Sequence, residues 1–214
     1  MPSRSRLWSS LDAFRGPVRK RAGSAKGVTL AEFAIVFPIF IATFFALIEF
    51  GFAFNAVLGI NRASQNGALI AGQAGSDSNA DCLILSKVED QLGPPIDKRD
   101  VLQVRIVRTT TTGSGSLASN VYTRTGAKNC GDYSVPYTAS SNGYPEAQRC
   151  DVLNGCPNLS PPRSTVDKIA VEVFYRHTPV TPMRELMSVL GGDGSSGYSW
   201  TFSKRNVSRM EPIQ

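Results

Sequence analysis

The hydrophobic pattern of the chain is dominated by one long apolar run near its start. Between residues 28 and 60 the only charged side chains are Glu32 and Glu49, and residues 33–48 carry no charge at all. A helix that crosses a bilayer needs about 20 predominantly apolar residues. A cleavable secretory segment would be shorter and would end in a small-x-small site, which "FALIEFGFAFNAVLG" lacks. The pattern therefore predicts a transmembrane helix over 28–54.

The helical pattern continues beyond the apolar run in more polar form. "NRASQNGALIAGQAG" keeps the helical period and ends in a Gly/Ser/Asp/Asn cluster, which predicts an extension of the same helix over 55–75. "CLILSKVEDQL" predicts a second helix, capped by Asn79 or Asp81 and stopped by the Gly-Pro-Pro run at 93–95.

After the second helix the pattern changes from helical to alternating. "VLQVRIVRTTTT" and "DKIAVEVFYRHT" alternate apolar and polar residues, as half-buried strands do, and "YSWTFSKRNVSRM" predicts a last strand or two. "MRELMSVL" predicts a short helix between them, whereas residues 113–165, rich in Gly, Ser, Asn and Pro, predict long loops. We expect residues 76–214 to form an α+β domain with a small, few-stranded antiparallel sheet.

Charge is concentrated in the arm that precedes the apolar run. Residues 1–27 hold seven of the 23 basic residues and one of the 17 acidic residues, which leaves 16 of each in the rest of the chain. The net charge of +6 is therefore a property of the arm and does not indicate nucleic-acid binding. Lys and Arg favour the cytoplasmic side of a membrane helix, so we expect a cytoplasmic arm and an extracytoplasmic domain. The alternative for the apolar run is a buried core helix.

All four cysteines then lie on the oxidising, outer side of the membrane. They are Cys82, Cys130, Cys150 and Cys156. An even number of cysteines in such a compartment predicts two disulfides that tie down the loops. Cys150–Cys156 with Cys82–Cys130 is the favoured pairing among three possibilities, because "CDVLNGC" contains an Asn-Gly turn. The alternative is a zinc site, although no C-x-x-C pair occurs and the sequence has one histidine, His177.

An acidic residue near the start of a membrane helix needs an explanation, because burying an uncompensated carboxylate there costs about 2.5–3.5 kcal/mol. Glu32 and Phe33 lie five and six residues after Gly27, which closes the basic arm. Cleavage after Gly27 would make Val28 a new amino terminus, and its charged amino group on a neighbouring subunit could pair with Glu32. The alternative is an acid that snorkels at the end of an ordinary signal anchor.

This arrangement resembles the leader that type IV prepilin peptidases recognise. The stretch "GVTLAEFAIVFPIFIATFFALIEFGFAFNAVLGINRASQNGALIAG", with the terminal "SRMEP", is similar to TadE-like pseudopilins of tight-adherence (Flp-type) pili. The resemblance covers about residues 26–75 and the last few residues. It implies a pilin-like fold, processing at Gly27, and a Pro38 that lets the helix adapt from bilayer to filament. The alternative for Pro38 is an ordinary proline of a membrane helix. The arginine that family members often carry soon after E-F-G is absent, so its role is not transferred.

Glu49 falls near the outer end of the predicted membrane helix. Seventeen residues separate it from Glu32, which corresponds to about 26 Å of helix, close to the thickness of the hydrocarbon core. Phe50, Phe52 and Phe54 follow as an interfacial aromatic group. We expect a solvated or snorkelling Glu49 rather than one in a specific ion pair.

Small residues recur at every fourth position of the helix and form one continuous ridge. They are Gly51, Asn55, Gly59, Ala63, Gly67, Ala71 and Gly75. Such ridges let two helices or a helix and a sheet approach closely. The partner of the ridge is either another pilin-like helix or the domain of the same chain.

Two functions are consistent with these features. The first is a minor pseudopilin in the bacterial inner membrane that is cleaved after Gly27 and assembles or primes a pilus. Its partners would be other pilin-like subunits, the prepilin peptidase, inner-membrane assembly proteins and lipid. The second is an unprocessed, single-pass, membrane-anchored periplasmic binding or adhesion module. No phosphate-binding loop, zinc motif or catalytic constellation occurs, so we expect no enzyme activity, cofactor, metal, nucleic acid or small-molecule substrate.

Overall fold

The computed structural model describes residues 25–156, 165–181 and 199–211, with side chains from Thr29 onward. The chain divides into two compact units, residues 1–43 and residues 44–214. Most of the predicted basic leader and the whole of the predicted "MRELMSVL" helix lie outside the described residues.

Two helices occur where the pattern predicts them. Helix α1 comprises Ala25–Ala74 and contributes residues to both units, and helix α2 comprises Ala80–Gln91. Helix α1 ends where Gly75 adopts a φ of 57°, a left-handed conformation that side chains with a Cβ disfavour. Helix α2 follows Asn79 and stops before the Gly-Pro-Pro run. Short 3₁₀ turns occupy Lys98–Asp100 and Glu146–Gln148.

Seven strands occur in the part of the chain that the structure describes, and five of them form one antiparallel sheet. The strands are β1 (Val101–Thr109), β2 (Ala118–Thr123), β3 (Lys128–Asn129), β4 (Ser134–Val135), β5 (Thr138–Asn142), β6 (Lys168–His177) and β7 (Trp200–Arg209). The main sheet has the order β5-β2-β1-β6-β7, and β3 pairs with β4 in a separate two-stranded sheet. The predicted α+β class with a small antiparallel sheet is confirmed.

The region that the sequence predicts as long loops contains four of these strands, so that prediction was wrong in part. Strand β2 pairs with β1 along its length, and β5 extends the sheet beyond β2. The strand signal in "ASNVYT" is weak because one of its inward side chains is polar: Asn120 is buried together with Tyr122. Strand β5, "TASSN", is fully exposed and has no apolar alternation to read.

The hydrophobic core of the second unit lies between the two helices and one face of the sheet. Helix α1 contributes its buried residues from Ala56 onward, α2 contributes Leu85 and Val88, and the sheet contributes alternate residues such as Val104 and Val171. Ser64 of α1 donates a 2.7 Å hydrogen bond to the backbone oxygen of Val171, which ties α1 directly to β6.

Candidate membrane and assembly segment

The N-terminal part of α1 exposes nearly all of its apolar side chains. In the first unit, every described residue from Thr29 to Phe40 is exposed. The exposed large side chains there are Leu30, Phe33, Ile35, Val36, Phe37, Ile39 and Phe40. Among the described residues, α1 is also the one helix long and apolar enough to cross a membrane. Apolar side chains exposed in such number indicate a contact with lipid or with other helices.

The residues predicted for processing lie at the start of this segment. Gly27 and Val28 belong to the first turns of α1. Glu32 is exposed, and within the described part of the chain it has no hydrogen-bond or ion-pair partner. Phe33 stacks on Phe37 one turn later, with ring centroids 5.1 Å apart. Pro38 lies inside α1. The structure thus places the Glu32 carboxylate among exposed apolar side chains of α1.

The small-residue ridge packs on the domain of its own chain. A Cβ added at Gly67 would lie 2.7 Å from Cγ2 of Val88 and 3.0 Å from Cγ1 of Val171, distances that real Cβ atoms rarely or never show. A Cβ at Gly59 would collide with the side chain of Ile96. Ala63 and Ala71, between and beyond these glycines, are fully buried. The sequence left two partners open, another pilin-like helix or the domain of the same chain. The structure shows the second, because the ridge contacts α2, β6 and the segment before β1.

The ridge does not extend along the whole helix, and one close approach lies beside it. A Cβ at Gly51 would meet nothing within 4 Å. Gly72, which is outside the every-fourth-residue series, comes closest to β7: its Cβ would lie 2.5 Å from Oγ of Ser208 and 2.7 Å from the backbone oxygen of Arg209. The series identified the helix face but missed Gly72, because the face drifts around a 3.6-residue helix.

Glu49 is buried, so the prediction of a solvated or snorkelling side chain was wrong. Its carboxylate faces Nε2 of His177 at 2.8 Å. It also accepts hydrogen bonds from the backbone N–H of Val180 at 3.1 Å and from the N–H and hydroxyl of Thr181 at 3.1 and 2.9 Å. The segment after β6 therefore closes over the carboxylate and supplies the donors that water would otherwise provide. We refer to Glu49, His177, Val180 and Thr181 as the Glu49 clasp.

Aromatic rings surround the histidine of the Glu49 clasp. The His177 ring stacks on Trp200 of β7, with centroids 5.8 Å apart and planes 12° from parallel, and Tyr175 and Phe202 flank it at 6.3 Å. His177 pairs with Trp200 in the β6–β7 register, which fixes the stack. The sole histidine is thus part of the packing between α1 and the sheet.

Both disulfides form with the favoured pairing. Cys82 of α2 bonds to Cys130, and Cys150 bonds to Cys156 across a six-residue separation. The loops between β2 and β6 are therefore tied to α2 and to themselves, which confirms the two predicted disulfides.

A buried polar cluster, which the sequence did not indicate, joins the two disulfide-bonded regions. Asp81 and Arg149, each next to a cysteine in the chain, form an ion pair with side chains 1% and 0% exposed. Asn120 and Tyr122 of β2 donate to the same carboxylate at 2.7 and 2.6 Å. Burial and the Asp81 carboxylate raise the pKa of the Tyr122 hydroxyl, so it stays a donor. The Asp81 carboxylate therefore contacts three side chains from two other segments of the chain. Nε and Nη1 of Arg149 are buried and have no hydrogen-bond partner among the described residues.

The end of the described chain is anchored next to this cluster. Met210 follows β7 and is fully buried, and its N–H donates to the backbone oxygen of Asp167 at 3.1 Å. Tyr144 donates its hydroxyl to the Asp167 carboxylate at 2.8 Å. Met210 of the terminal motif is therefore part of the core.

A second polar cluster lies on α2. Arg124 contacts both carboxylate oxygens of Glu89, at 2.6 and 2.9 Å, and Lys98 lies 3.3 Å away. Burial alone would raise the pKa of the Glu89 carboxyl. The hydrogen bonds and charges of Arg124 and Lys98 outweigh that effect and lower the pKa.

Comparison with known proteins gives one match, and it falls on α1. The model of the TadE-like protein family matches residues 27–69, from the predicted processing site to the middle of the buried ridge. No curated protein and no solved structure matches the chain. The match confirms the resemblance inferred from the sequence motifs. Over residues 27–69 the chain is therefore similar to TadE-like proteins.

Proposed function

We propose that the protein is a minor pseudopilin of a tight-adherence pilus, cleaved after Gly27 by a prepilin peptidase and acting in pilus assembly or priming. The observation that carries the proposal is the family match that starts at Gly27 and covers a helix with a wholly exposed apolar N-terminal segment. The domain would lie outside the inner membrane, with the basic arm in the cytoplasm before its removal.

The two parts of α1 make different contacts, and this difference supports the proposal. The ridge residues Gly59, Ala63 and Gly67 are used within the chain, against α2 and β6. The N-terminal segment, in contrast, leaves its large apolar side chains exposed. A subunit built in this way keeps its domain folded without help from neighbours and offers the apolar segment to lipid or to the helices of other subunits. We assign it no enzymatic role.

Glu32 supplies the polar element of such an assembly. A carboxylate within an apolar segment is stabilised by a nearby positive charge. Cleavage after Gly27 would create that charge at the amino group of Val28 on a neighbour staggered by about one helical turn. Glu32 would then select the stagger between subunits, since other offsets leave the carboxylate unpaired.

Glu32→Ala tests this assignment in cells that make the cognate pilus machinery. We expect the variant to insert into the membrane and to be processed, yet to fail to restore pilus assembly in a strain that lacks the wild-type protein. Thr43→Ala, which removes another polar group from the exposed surface of α1, is the matched control and should assemble normally.

The complementation result decides the role of the carboxylate. If the Glu32→Ala protein supports normal pilus assembly, Glu32 has no role between subunits and is an acid that snorkels at the end of the helix. A strain that lacks the wild-type protein and still assembles pili would instead favour an unprocessed membrane-anchored binding or adhesion module.

A further inference from the structure

Four large apolar side chains lie exposed at the end of the domain where α1 enters it. They are Phe50, Phe54, Val180 and Trp200, with exposed fractions of 73%, 64%, 75% and 42%. Two come from α1, one from the segment after β6 and one from the first residue of β7. We call these four side chains the apolar rim. Exposed apolar groups from three separate segments indicate a surface that contacts something other than water.

The fold holds the apolar rim in place. Glu49 accepts the backbone N–H groups of Val180 and Thr181, so Val180 is fixed beside α1 although its own side chain packs on little. The stack of the Trp200 indole on the His177 ring holds the indole in place. The buried Glu49 carboxylate thus fixes the backbone of Val180, whose apolar side chain is 75% exposed.

The apolar rim continues an exposed face of α1 within the same unit. Phe44, Leu47, Phe50 and Phe54 follow one another at spacings of three or four residues, so they share one side of the helix, and all are exposed. Phe50 and Trp200 line one common cleft, and Phe52 and Val180 line another. Apolar side chains of the helix and of the domain therefore line shared clefts.

We propose that the apolar rim inserts into the interfacial layer of the phospholipid bilayer, so that the domain itself rests on the membrane from which α1 emerges. This inference rests on the proposed membrane anchoring of α1. Tryptophan and phenylalanine favour the interface between headgroups and acyl chains, and the rim lies where the sequence places the outer end of the span.

The charges near the apolar rim favour insertion rather than electrostatic attachment. Asp97 and Asp100 line the cleft that contains Val180, and the exposed Arg99 forms an ion pair with Asp97. Charges of both signs at this end give no net attraction to anionic headgroups. The rim should therefore bind zwitterionic bilayers at least as well as anionic ones.

Fluorescence of Trp200 tests the proposal in the full-length chain. The sequence has two tryptophans, so Trp8→Phe leaves Trp200 as the only one. The protein is reconstituted in phosphatidylcholine vesicles, with and without lipids brominated near the glycerol end of their acyl chains. We expect the brominated lipids to quench Trp200 emission and the bilayer to protect it from acrylamide.

A tryptophan at the other end of the sheet is the matched control. Leu117 is exposed and hydrogen bonds to Arg108 near the end of β1 that lies away from His177 and Trp200. The variant Trp8→Phe/Trp200→Phe/Leu117→Trp should keep its emission with brominated lipids. Equal quenching of both variants would contradict a specific rim contact.

Two further results would overturn the proposal. Trp200 emission that brominated lipids leave unchanged would show that the domain stands clear of the bilayer, and acrylamide protection without lipid quenching would show that protein covers the rim. Alkaline extraction of the same vesicles tests separately whether α1 anchors the chain in the membrane, which the proposed function requires. A chain that resists extraction retains the membrane anchor whatever Trp200 shows, whereas a chain that is released refutes the anchor and the rim contact together.

Discussion

The Glu49 carboxylate and the His177 imidazole lie 2.8 Å apart inside the domain, although 128 residues separate them in the chain. This contact connects the end of β6 to the middle of α1. It makes Glu49 part of the fold, whereas Glu32, seventeen residues earlier, is exposed and has no ion-pair partner in the part of the chain that the structure describes.

Glu49→Ala should destabilise the domain, because it leaves His177 and the N–H groups of Val180 and Thr181 without their acceptor. An unsatisfied buried polar group costs about 1–3 kcal/mol, so we expect the free energy of unfolding to fall by at least about 2 kcal/mol. Chemical denaturation of the detergent-solubilised chain measures it. Glu211→Ala is the control, since its ion pair with Arg209 is about 60% exposed on each side and should contribute under about 1 kcal/mol. Equal effects of the two substitutions would refute the Glu49 clasp.

Gly67→Ala should destabilise the domain even though alanine favours helices by about 1 kcal/mol over glycine. The added Cβ would lie 2.7 Å from a methyl group of Val88 and 3.0 Å from one of Val171, so backbone or helix must shift, at a cost of about 1–3 kcal/mol. Gly67→Leu should be worse. Gly51→Ala has open space and should leave the melting temperature unchanged or raised. A Gly67→Ala protein as stable as the Gly51→Ala protein would mean that the ridge is not tightly packed.

The contacts of Glu89 with Arg124 and Lys98 predict that the stability of the domain is sensitive to acid. Because the pKa of Glu89 is lowered on folding, its contribution to stability is present above the carboxyl's unfolded pKa and is lost as the pH falls through the folded pKa. The stability difference between wild type and Glu89→Gln should therefore be largest near neutral pH and shrink below about pH 4.3, the ordinary value for glutamate. Asp90→Asn, at an exposed neighbouring position, is the control and should change the stability little. A Glu89→Gln difference independent of pH would contradict this assignment.

The two disulfides should contribute unequally. Cys82–Cys130 closes a separation of 48 residues and Cys150–Cys156 one of six. On the chain-entropy account, the longer loop gives about 2 kcal/mol more stabilisation. Paired serine variants of each bridge, compared by denaturant unfolding, measure the difference. A larger loss from removing the shorter bridge would show that loop-closure entropy does not decide which bridge stabilises the domain more.

The parts of the fold with a regular pattern could be predicted from sequence. The apolar run and the four-residue spacing of small side chains identified α1 and its packing face, and alternation identified β1 and β6. These signals are local, since they depend on a period within a single element. The strands β2 and β5 were missed because buried Asn120 and exposed Ser and Thr residues break the alternation that marks a strand.

The polar contacts could not be predicted because each depends on groups far apart in the chain. Glu49 was expected to be solvated because its spacing from Glu32 places it near the outer membrane interface, yet its donors come from residues 177–181. Asp81 and Arg149 likewise pair only after α2 and the disulfide loops are in place. One signal was available for Glu49: a lone histidine at the end of a predicted strand can serve as the partner of a buried acid.

The intact mass of the membrane-extracted protein, produced together with its cognate prepilin peptidase, tests the central claim most directly. We predict a chain that begins at Val28, with or without a methyl group on the new amino terminus. The Gly27→Leu variant should keep its arm, because a Cβ obstructs close approach of the peptidase to the backbone. A wild-type mass equal to the full 214-residue sequence, or processing of Gly27→Leu at the wild-type rate, would contradict the account.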